Sequence, residues 1–265
     1  MTSYFAPRPP RVFGHRGAAG VAPENTLPSF ALAAALGATH LELDVHATAD
    51  GEIVVLHDPA LERTTDGSGP VSDRPWTHVA GLDAGYHFTH DGCTYPYRGQ
   101  GVRIPSLGQV LERFPTLPLN IEIKQGDPPI VDAVVDVLRR ARSLDRVLLA
   151  AEDDDVMRAI RHAVGERVAT GMSRGEVVRF IDRLQRDDWT GYGAPGRALQ
   201  IPPAHGGIDL VTPASIAAAH RVGLEVHVWT INGAAAIEHL LDLGVDGVMS
   251  DFPGLVATAV RHRCP

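Results

Sequence analysis

Short apolar, β-branched runs alternate with alanine- and leucine-rich stretches of helical period along the whole chain, and no other feature limits the fold as strongly. Strands are predicted at 12–14, 40–46, 53–57, 119–124, 147–151, 168–171, 198–201, 225–230 and 247–250. Helices are predicted at 27–36, 130–142, 154–164, 176–185, 213–222 and 234–243. Strands and helices in such alternation build βαβ units and a mainly parallel sheet. Gly37, Gly165, Gly223 and Gly244 fall just past helical runs, where a left-handed cap is wanted; Asn25 and Asp153 stand where N-caps belong. The run 53–57 extends the second strand or pairs beside it through the Asp50-Gly51 turn. Counting those two runs as one unit leaves eight, which suits a single (β/α)8 TIM barrel, although a doubly wound open sheet gives a similar string. The 265 residues match the roughly 250 that such a barrel needs.

One segment breaks the rhythm. Residues 66–103 are rich in Gly, Pro, His and aromatics, with no clean helical period. A loop this long inside a compact domain is usually functional or a small inserted unit. Following the second strand, it is expected to rise over the C-terminal face as a lid or substrate wall, within one catalytic domain spanning 1–265. Residues 187–207 are also rich in Gly and Pro, and Gln200, ending a predicted strand, is a candidate to reach the site. Hydrophobic residues at 44% and charged residues at 21% supply a large core and argue against disorder. A net charge of −8 with no long basic run argues against nucleic acid or an anionic membrane surface as the main partner, though not against one local phosphate pocket. Cys93 and Cys264 are too few for a disulfide framework and are expected as free thiols. No stretch approaches the roughly 18 apolar residues of a membrane span, and residues 1–11 lack the apolar core of a signal peptide. A cytoplasmic enzyme is expected.

The chemistry-bearing residues sit on the strands. Alternate strand residues share a face, so Glu42, Asp44 and His46 point one way while Leu41, Leu43 and Val45 point the other. Outward charges on a barrel strand would meet the apolar sides of the helices, so the inward face near the open end is the plausible place. Two adjacent carboxylates repel and raise each other's pKa unless a cation joins them, and a hard divalent ion with oxygen ligands removes the conflict. A surface edge strand with solvated charges is the alternative. Glu122 and Lys124 repeat the pattern, adding a third carboxylate and a point charge suited to a phosphate oxygen, or else a partial buried salt bridge. His15 and His57 follow apolar runs and precede turns, which in a barrel places them at the active-site end. Arg16 can grip a phosphate in a bidentate way, and Asp58 either orients His57 or belongs to its turn. Carboxylate-only ligation favours Mg²⁺ or Ca²⁺ over zinc. The histidines, titrating near neutrality, can move protons to and from the attacking and leaving oxygens of a phosphodiester.

With these residues in place, the sequence resembles the glycerophosphodiester phosphodiesterase family. The resemblance rests on His15-Arg16-Gly17, Pro23-Glu24-Asn25-Thr26, Glu42-Leu43-Asp44, Asp50-Gly51, Val55-Leu56-His57-Asp58-Pro59, Arg63-Thr64-Thr65-Asp66, Ile104-Pro105-Ser106-Leu107, Glu122-Ile123-Lys124, Val228-Trp229-Thr230 and Ser250-Asp251-Phe252-Pro253, in order along nearly the whole chain. It implies a (β/α)8 barrel with an insertion after the second strand, and hydrolysis of a glycerophosphodiester to glycerol 3-phosphate and an alcohol. It further implies Glu42, Asp44 and Glu122 as ligands of one divalent cation, and His15 and His57 as the acid–base pair. Arg16 and Lys124 become phosphate contacts, Trp229 lines the glycerol side, and Glu24 supports the site from behind. In relatives the substrate's own glycerol hydroxyl is thought to attack phosphorus. His87, His90, Asp91 and Tyr95 to Tyr97, within the insertion, could reshape the pocket or add a ligand; solvated loop residues are the simpler reading. Two rival functions are a phospholipase D-like hydrolase of lysophospholipids and a non-catalytic phosphate-binding barrel. The Glu122-x-Lys124 pair and the intact polar set argue against each in turn.

Overall fold

The protein is described over residues 3–263 by a computed structural model. The chain opens with β1 (Arg11–Gly14), α1 (Leu27–Ala35), β2 (His40–Ala47) and β3 (Ile53–Val55). After a long excursion carrying the short α2 (Trp76–Val79) come α3 (Leu107–Arg113), β4 (Leu119–Ile123), α4 (Val131–Arg140), β5 (Val147–Ala150), α5 (Asp154–Val164) and β6 (Ala169–Thr170). The remainder is α6 (Arg174–Arg186), β7 (Ala198–Ile201), a small hairpin of β8 (Ala204–His205) and β9 (Ile208–Asp209), α7 (Pro213–Arg221), β10 (Glu225–Val228), α8 (Ala234–Leu243), β11 (Gly247–Ser250) and α9 (Pro253–Arg263).

Eight strands pair in the parallel order β6-β5-β4-β2-β1-β11-β10-β7. The two ends of that order meet through a parallel bridge between Gly171 and Ala198 and a 2.8 Å bond from Arg197 N to Thr170 O, so the sheet closes on itself. This is the (β/α)8 barrel, and closure excludes the open doubly wound sheet. β3 is outside the ring: it folds back antiparallel on β2, with Val45 opposite Val55 and Ala47 opposite Ile53.

Strand alternation divides the core. Leu41, Leu43, Val45, Ile121 and Val248 pack outward against the helices in one large apolar layer. Inside the barrel, Tyr4, Phe13, Leu148, Ala169, Ala198 and Met249 form a separate cluster. Beside that cluster, Arg11 forms a bidentate pair with Glu225 at 2.7 and 2.6 Å, and Glu225 also holds His227 at 3.0 Å. Gln200 donates to Asn120 Oδ1 at 2.8 Å in the same layer, so it is occupied inside the barrel and is not the site residue its position suggested.

The structure corrects the sequence reading at several ends. Thr26, not Asn25, caps α1, its side chain accepting from Ser29 N. Asp153 caps α5 as expected, and all four predicted cap glycines have positive φ. The strand predicted through His57 stops at Val55, because the chain must turn away from the ring there. α3 and α9 were not predicted; Ser106 and Gln109 form a reciprocal capping box at the start of α3. Between the second strand and α3, Val54, Leu56, Leu61, Val71, Val79, Leu82, Val102 and Ile104 form their own small apolar cluster, which explains how a segment with so little secondary structure stays ordered. Cys93 is exposed, and Cys264 lies outside the described residues, as does any pairing between them. Among the described residues no helix is long and apolar enough to cross a membrane.

His40, fully buried below the site, donates from Nε2 to Tyr4 O at 2.9 Å. Burial pushes its pKa down to about 3. The unfolded chain takes up this proton near pH 6.5 while the folded one refuses it until about 3, so stability is full above pH 6.5 and falls as pH drops through that window. We expect the protein to lose ~2 kcal/mol more than a His40→Gln variant between pH 7 and 5, from the roughly 1.4 kcal/mol per pKa unit. Equal losses in denaturant midpoints would remove His40 as the source.

Candidate active site

The site is assembled at the C-terminal ends of β1, β2, β4, β10 and β11, where barrel enzymes carry their chemistry. Register places Asp44 beside Glu122 on adjacent strands, and Glu42 one inward step below Asp44. One oxygen from each of Glu42, Asp44 and Glu122 lies within 4.8 Å of the others, the only such group of potential ligands among the described residues. The insertion's His87, His90 and Asp91 therefore add no ligand set. Asp91 is consumed in its own turn, accepting from Cys93 N and Thr94 N.

Two cations hold Asp44 between them: Arg16 Nε at 3.4 Å and Lys124 Nζ at 3.3 Å, the latter also 2.8 Å from Glu122. Burial works against the charge of Lys124, yet Asp44 and Glu122 outweigh it and raise its pKa. Arg16 behaves likewise, with Asp44 and Glu24 the main partners. Among the described residues no Arg or Lys side chain pairs with Glu42. It accepts one bond, 2.8 Å from Arg16 N, and burial followed by the neighbouring Asp44 charge pushes its pKa up to about 7.

The β1–α1 loop makes this geometry possible. Arg16 and Asn25 both adopt the left-handed conformation, φ +51° and +56°, which costs non-glycine residues of order 1 kcal/mol each. Asn25 N donates to Arg16 O at 2.9 Å, and the Asn25 amide donates to Asp44 Oδ2 at 3.0 Å. The side chain read as a helix cap thus serves the carboxylate cluster. Gly17 (φ +92°) has no alternative, because a Cβ there would collide with Ser29. The Ser29 hydroxyl donates to Arg16 O and accepts from Ala18 N.

His15 and His57 each lean on a carboxylate. Nδ1 of His15 is 2.7 Å from Asp251 Oδ1; Nδ1 of His57 is 2.6 Å from Asp58 Oδ1. Asp58 is shared with Arg63, which holds its carboxyl down at about 2, and Arg63 binds Glu24 at 2.7 and 2.8 Å. Glu24 in turn meets Arg16 at 2.9 Å. Burial raises the Glu24 pKa, but the two arginines outweigh it and hold it below the usual carboxylate range. Arg63, Asp251, Asn232, Asn25 and His46 were not assigned to the site from sequence. His46 donates to His57 O at 3.0 Å, and Arg63 and Asp251 lie in the motifs quoted above, where the carboxylate–histidine pairing was the missing signal. Trp229 is 42% exposed at the end of β10, and its neighbour Thr230 places Oγ1 3.5 Å from His15 Nε2. His46, His57, Pro59, Val71, Lys124 and Gln125 border a cleft of about 320 Å³ beside the cluster.

The residues fit a hard divalent cation. The donors are all carboxylate oxygens. Six carboxylates (Glu24, Glu42, Asp44, Asp58, Glu122, Asp251) face three fixed cations (Arg16, Arg63, Lys124), an excess of negative charge that a divalent ion offsets. Asn25 Oδ1, on the side chain that donates to Asp44, is a buried acceptor without a partner.

Comparison with known proteins follows the same line. The profile of the Glycerophosphoryl diester phosphodiesterase family matches residues 15–255. The chain belongs to that family. It is 31% identical over 249 residues to a glycerophosphodiester phosphodiesterase of Bacillus altitudinis, covering 92% of this chain and 95% of the relative. It is 26% identical over 281 residues to Lysophospholipase D GDPD1 of Mus musculus, covering 92% and 83%. The solved structure of an Oleispira antarctica phosphodiesterase in complex with the product sn-glycerol-3-phosphate superposes with a TM-score of 0.79 at 27% identity, covering 98% of this chain and all of that one (100%).

A ligand set held apart by its own repulsion is stabilised by the ion that joins it, by RT ln(1 + [L]/Kd). Mg²⁺ or Ca²⁺ is expected to raise the melting temperature of chelated protein, and Glu42→Gln to reduce the rise to that of a monovalent salt control. An undiminished rise in that variant would place the ion elsewhere.

Proposed function

We propose that the protein is a cytoplasmic, metal-dependent hydrolase that cleaves glycerophosphodiesters to glycerol 3-phosphate and an alcohol by acid–base catalysis from His15 and His57. The observation that carries this reading is the carboxylate triad of Glu42, Asp44 and Glu122 held by Arg16 and Lys124, with His15 adjoining Arg16 in the chain and His57 sharing a cleft with Lys124. A divalent ion on that triad, Mg²⁺ or Ca²⁺, supplies Lewis-acid stabilisation of charge developing on the phosphoryl oxygens. Arg16 and Lys124 contribute further positive charge toward the phosphate, as preorganised donors that cost no rearrangement during the reaction. With Nδ1 of each histidine engaged by a carboxylate, both Nε2 atoms are left for proton transfer. One takes the proton from the attacking oxygen; the other supplies one to the oxygen of the departing alcohol. Trp229 lines the glycerol side, and the insertion contributes Val71 and Ser72 to the cleft beside His57.

The 26% identity to a lysophospholipase D supports a second reading, in which the alcohol side accepts a lysophospholipid. Turnover of glycerophosphocholine set against lysophosphatidylcholine separates the two, and faster lipid turnover would overturn the first. Thorough chelation is expected to abolish hydrolysis of a chromogenic bis-aryl phosphate, with recovery on adding back Mg²⁺ or Ca²⁺. His15→Ala and His57→Ala should each lower turnover roughly 10²–10⁴-fold while leaving metal binding intact. Near wild-type rates in either variant would strip that histidine of its role.

A further inference from the structure

The two histidines are held by carboxylates in unequal surroundings. Asp58, behind His57, has both oxygens engaged by Arg63, at 2.5 and 3.2 Å, so much of its charge is spent on a guanidinium. Asp251, behind His15, is within ion-pair distance of no arginine or lysine among the described residues. Its Oδ1 lies 2.7 Å from His15 Nδ1, and its Oδ2 accepts from the Asn232 amide at 2.6 Å. Asn232 is itself fixed: its Oδ1 accepts from Asp251 N at 2.9 Å and from Ser250 Oγ at 3.1 Å. The loop after β10 and the end of β11 thus clamp one carboxylate in a single orientation, and His15 N joins the same unit by donating to Ser250 O at 3.0 Å.

We infer that Asp251 and Asn232 are positioning residues for His15. Together they fix its ring with Nδ1–H on the carboxylate and Nε2 turned toward the side of Thr230 Oγ1. The neutral Asn232 amide orients the carboxylate without neutralising it, while Asp251 N and Ser250 Oγ hold Asn232 in place, so the carboxylate charge is left to act on the imidazole. A carboxylate so placed selects the tautomer and stabilises the imidazolium that forms when Nε2 takes a proton. In accord with that placement, burial lowers the His15 pKa but Asp251 and, more distantly, Glu42 outweigh it, and the net direction is upward. The carboxyl of Asp251 moves the other way, below its usual range, since His15 and Asn232 outweigh its burial.

The inference rests on the role proposed for His15, and one set of variants tests them apart. Replacing Asp251 by Asn offers an amide donor to Nδ1 and selects the wrong tautomer, for which losses of roughly 10²–10⁴ in kcat are expected. Asp251→Asn should therefore lower kcat by that factor with KM within about threefold of the parent, since the residue does not touch substrate. Asp251→Glu should recover part of the loss, and Asn232→Ala should lower kcat roughly tenfold. The double variant His15→Ala/Asp251→Asn should be no slower than His15→Ala alone, a non-additivity that general destabilisation would not produce. Should Asp251→Asn fail to fold, the pair Asn232→Ala and His15→Ala/Asn232→Ala carries the same comparison. Losses that multiply in the double variants, or an Asp251→Asn enzyme within threefold of the parent while His15→Ala is inactive, would overturn the positioning role alone. An active His15→Ala would overturn it together with the reading of His15.

Discussion

Three carboxylates crowd one end of this barrel, and the surrounding structure is organised around their mutual repulsion. Two unit charges 4.8 Å apart repel by about 3–4 kcal/mol at an effective dielectric of 20. Three such contacts in an unrelieved cluster would consume a large part of a typical domain's 5–15 kcal/mol of stability. Relief comes in graded form. Asp44, the most central, is gripped by Arg16, Lys124 and the Asn25 amide; Glu122 shares Lys124; Glu42 receives a single backbone N–H and remains the most strained of the three. What the chain leaves uncompensated at Glu42 is the capacity to bind a cation.

Such a cluster can exist only because the lower barrel is solid. Tyr4, Phe13, Met249 and the small alanines of β5, β6 and β7 fill the interior beneath it, and Arg11, Glu225, His227, Gln200 and Asn120 satisfy one another in the same layer. On β2 and β4 apolar residues face the helices, while the inward side changes from His40 and Asn120 in the packed interior to charge at Glu42 and Glu122, two residues on. Asn120 and Glu122 on β4 mark that boundary: the first belongs to the sealed interior, the second to the mouth. Parallel pairing of β2 with β4, from Leu41 against Leu119 to Val45 against Ile123, sets their carboxylates side by side.

How far this was legible from the residues follows from the range of each signal. Glu42-x-Asp44 and Glu122-x-Lys124 are strand patterns with period two, and a closed barrel converts the pattern into convergence without further information. His15 and His57 were visible as histidines ending apolar runs. Eight βα units were countable, but closure of the ring was not, because the Gly171–Ala198 bridge is a single long-range contact with no local signature. Asn25 was misread for a related reason. Either Asn25 or its neighbour Thr26 can cap a helix, and only the three-dimensional proximity of Asp44 decides that Thr26 does so. α3 was lost although Ser106 and Gln109 stood at capping-box spacing, since the irregular excursion before it masked the helical period.

The ion pairs linking these parts reveal a division that no linear motif contains. From His57 the chain of contacts runs through Asp58, Arg63, Glu24 and Arg16 to Asp44, alternating in charge from Asp58 onward. Such alternation makes it a rigid scaffold: moving one member exposes an uncompensated charge on the next. His15 stands outside that ladder, referenced instead to the ends of β10 and β11 through Asp251 and Asn232. The two histidines are therefore set from two frames, one made of ion pairs and tied to the carboxylate cluster, the other made of hydrogen bonds and tied to the barrel wall. The side chain of His57 is thus linked to the cluster by a run of side-chain contacts, whereas that of His15 is held by a separate segment of the barrel wall.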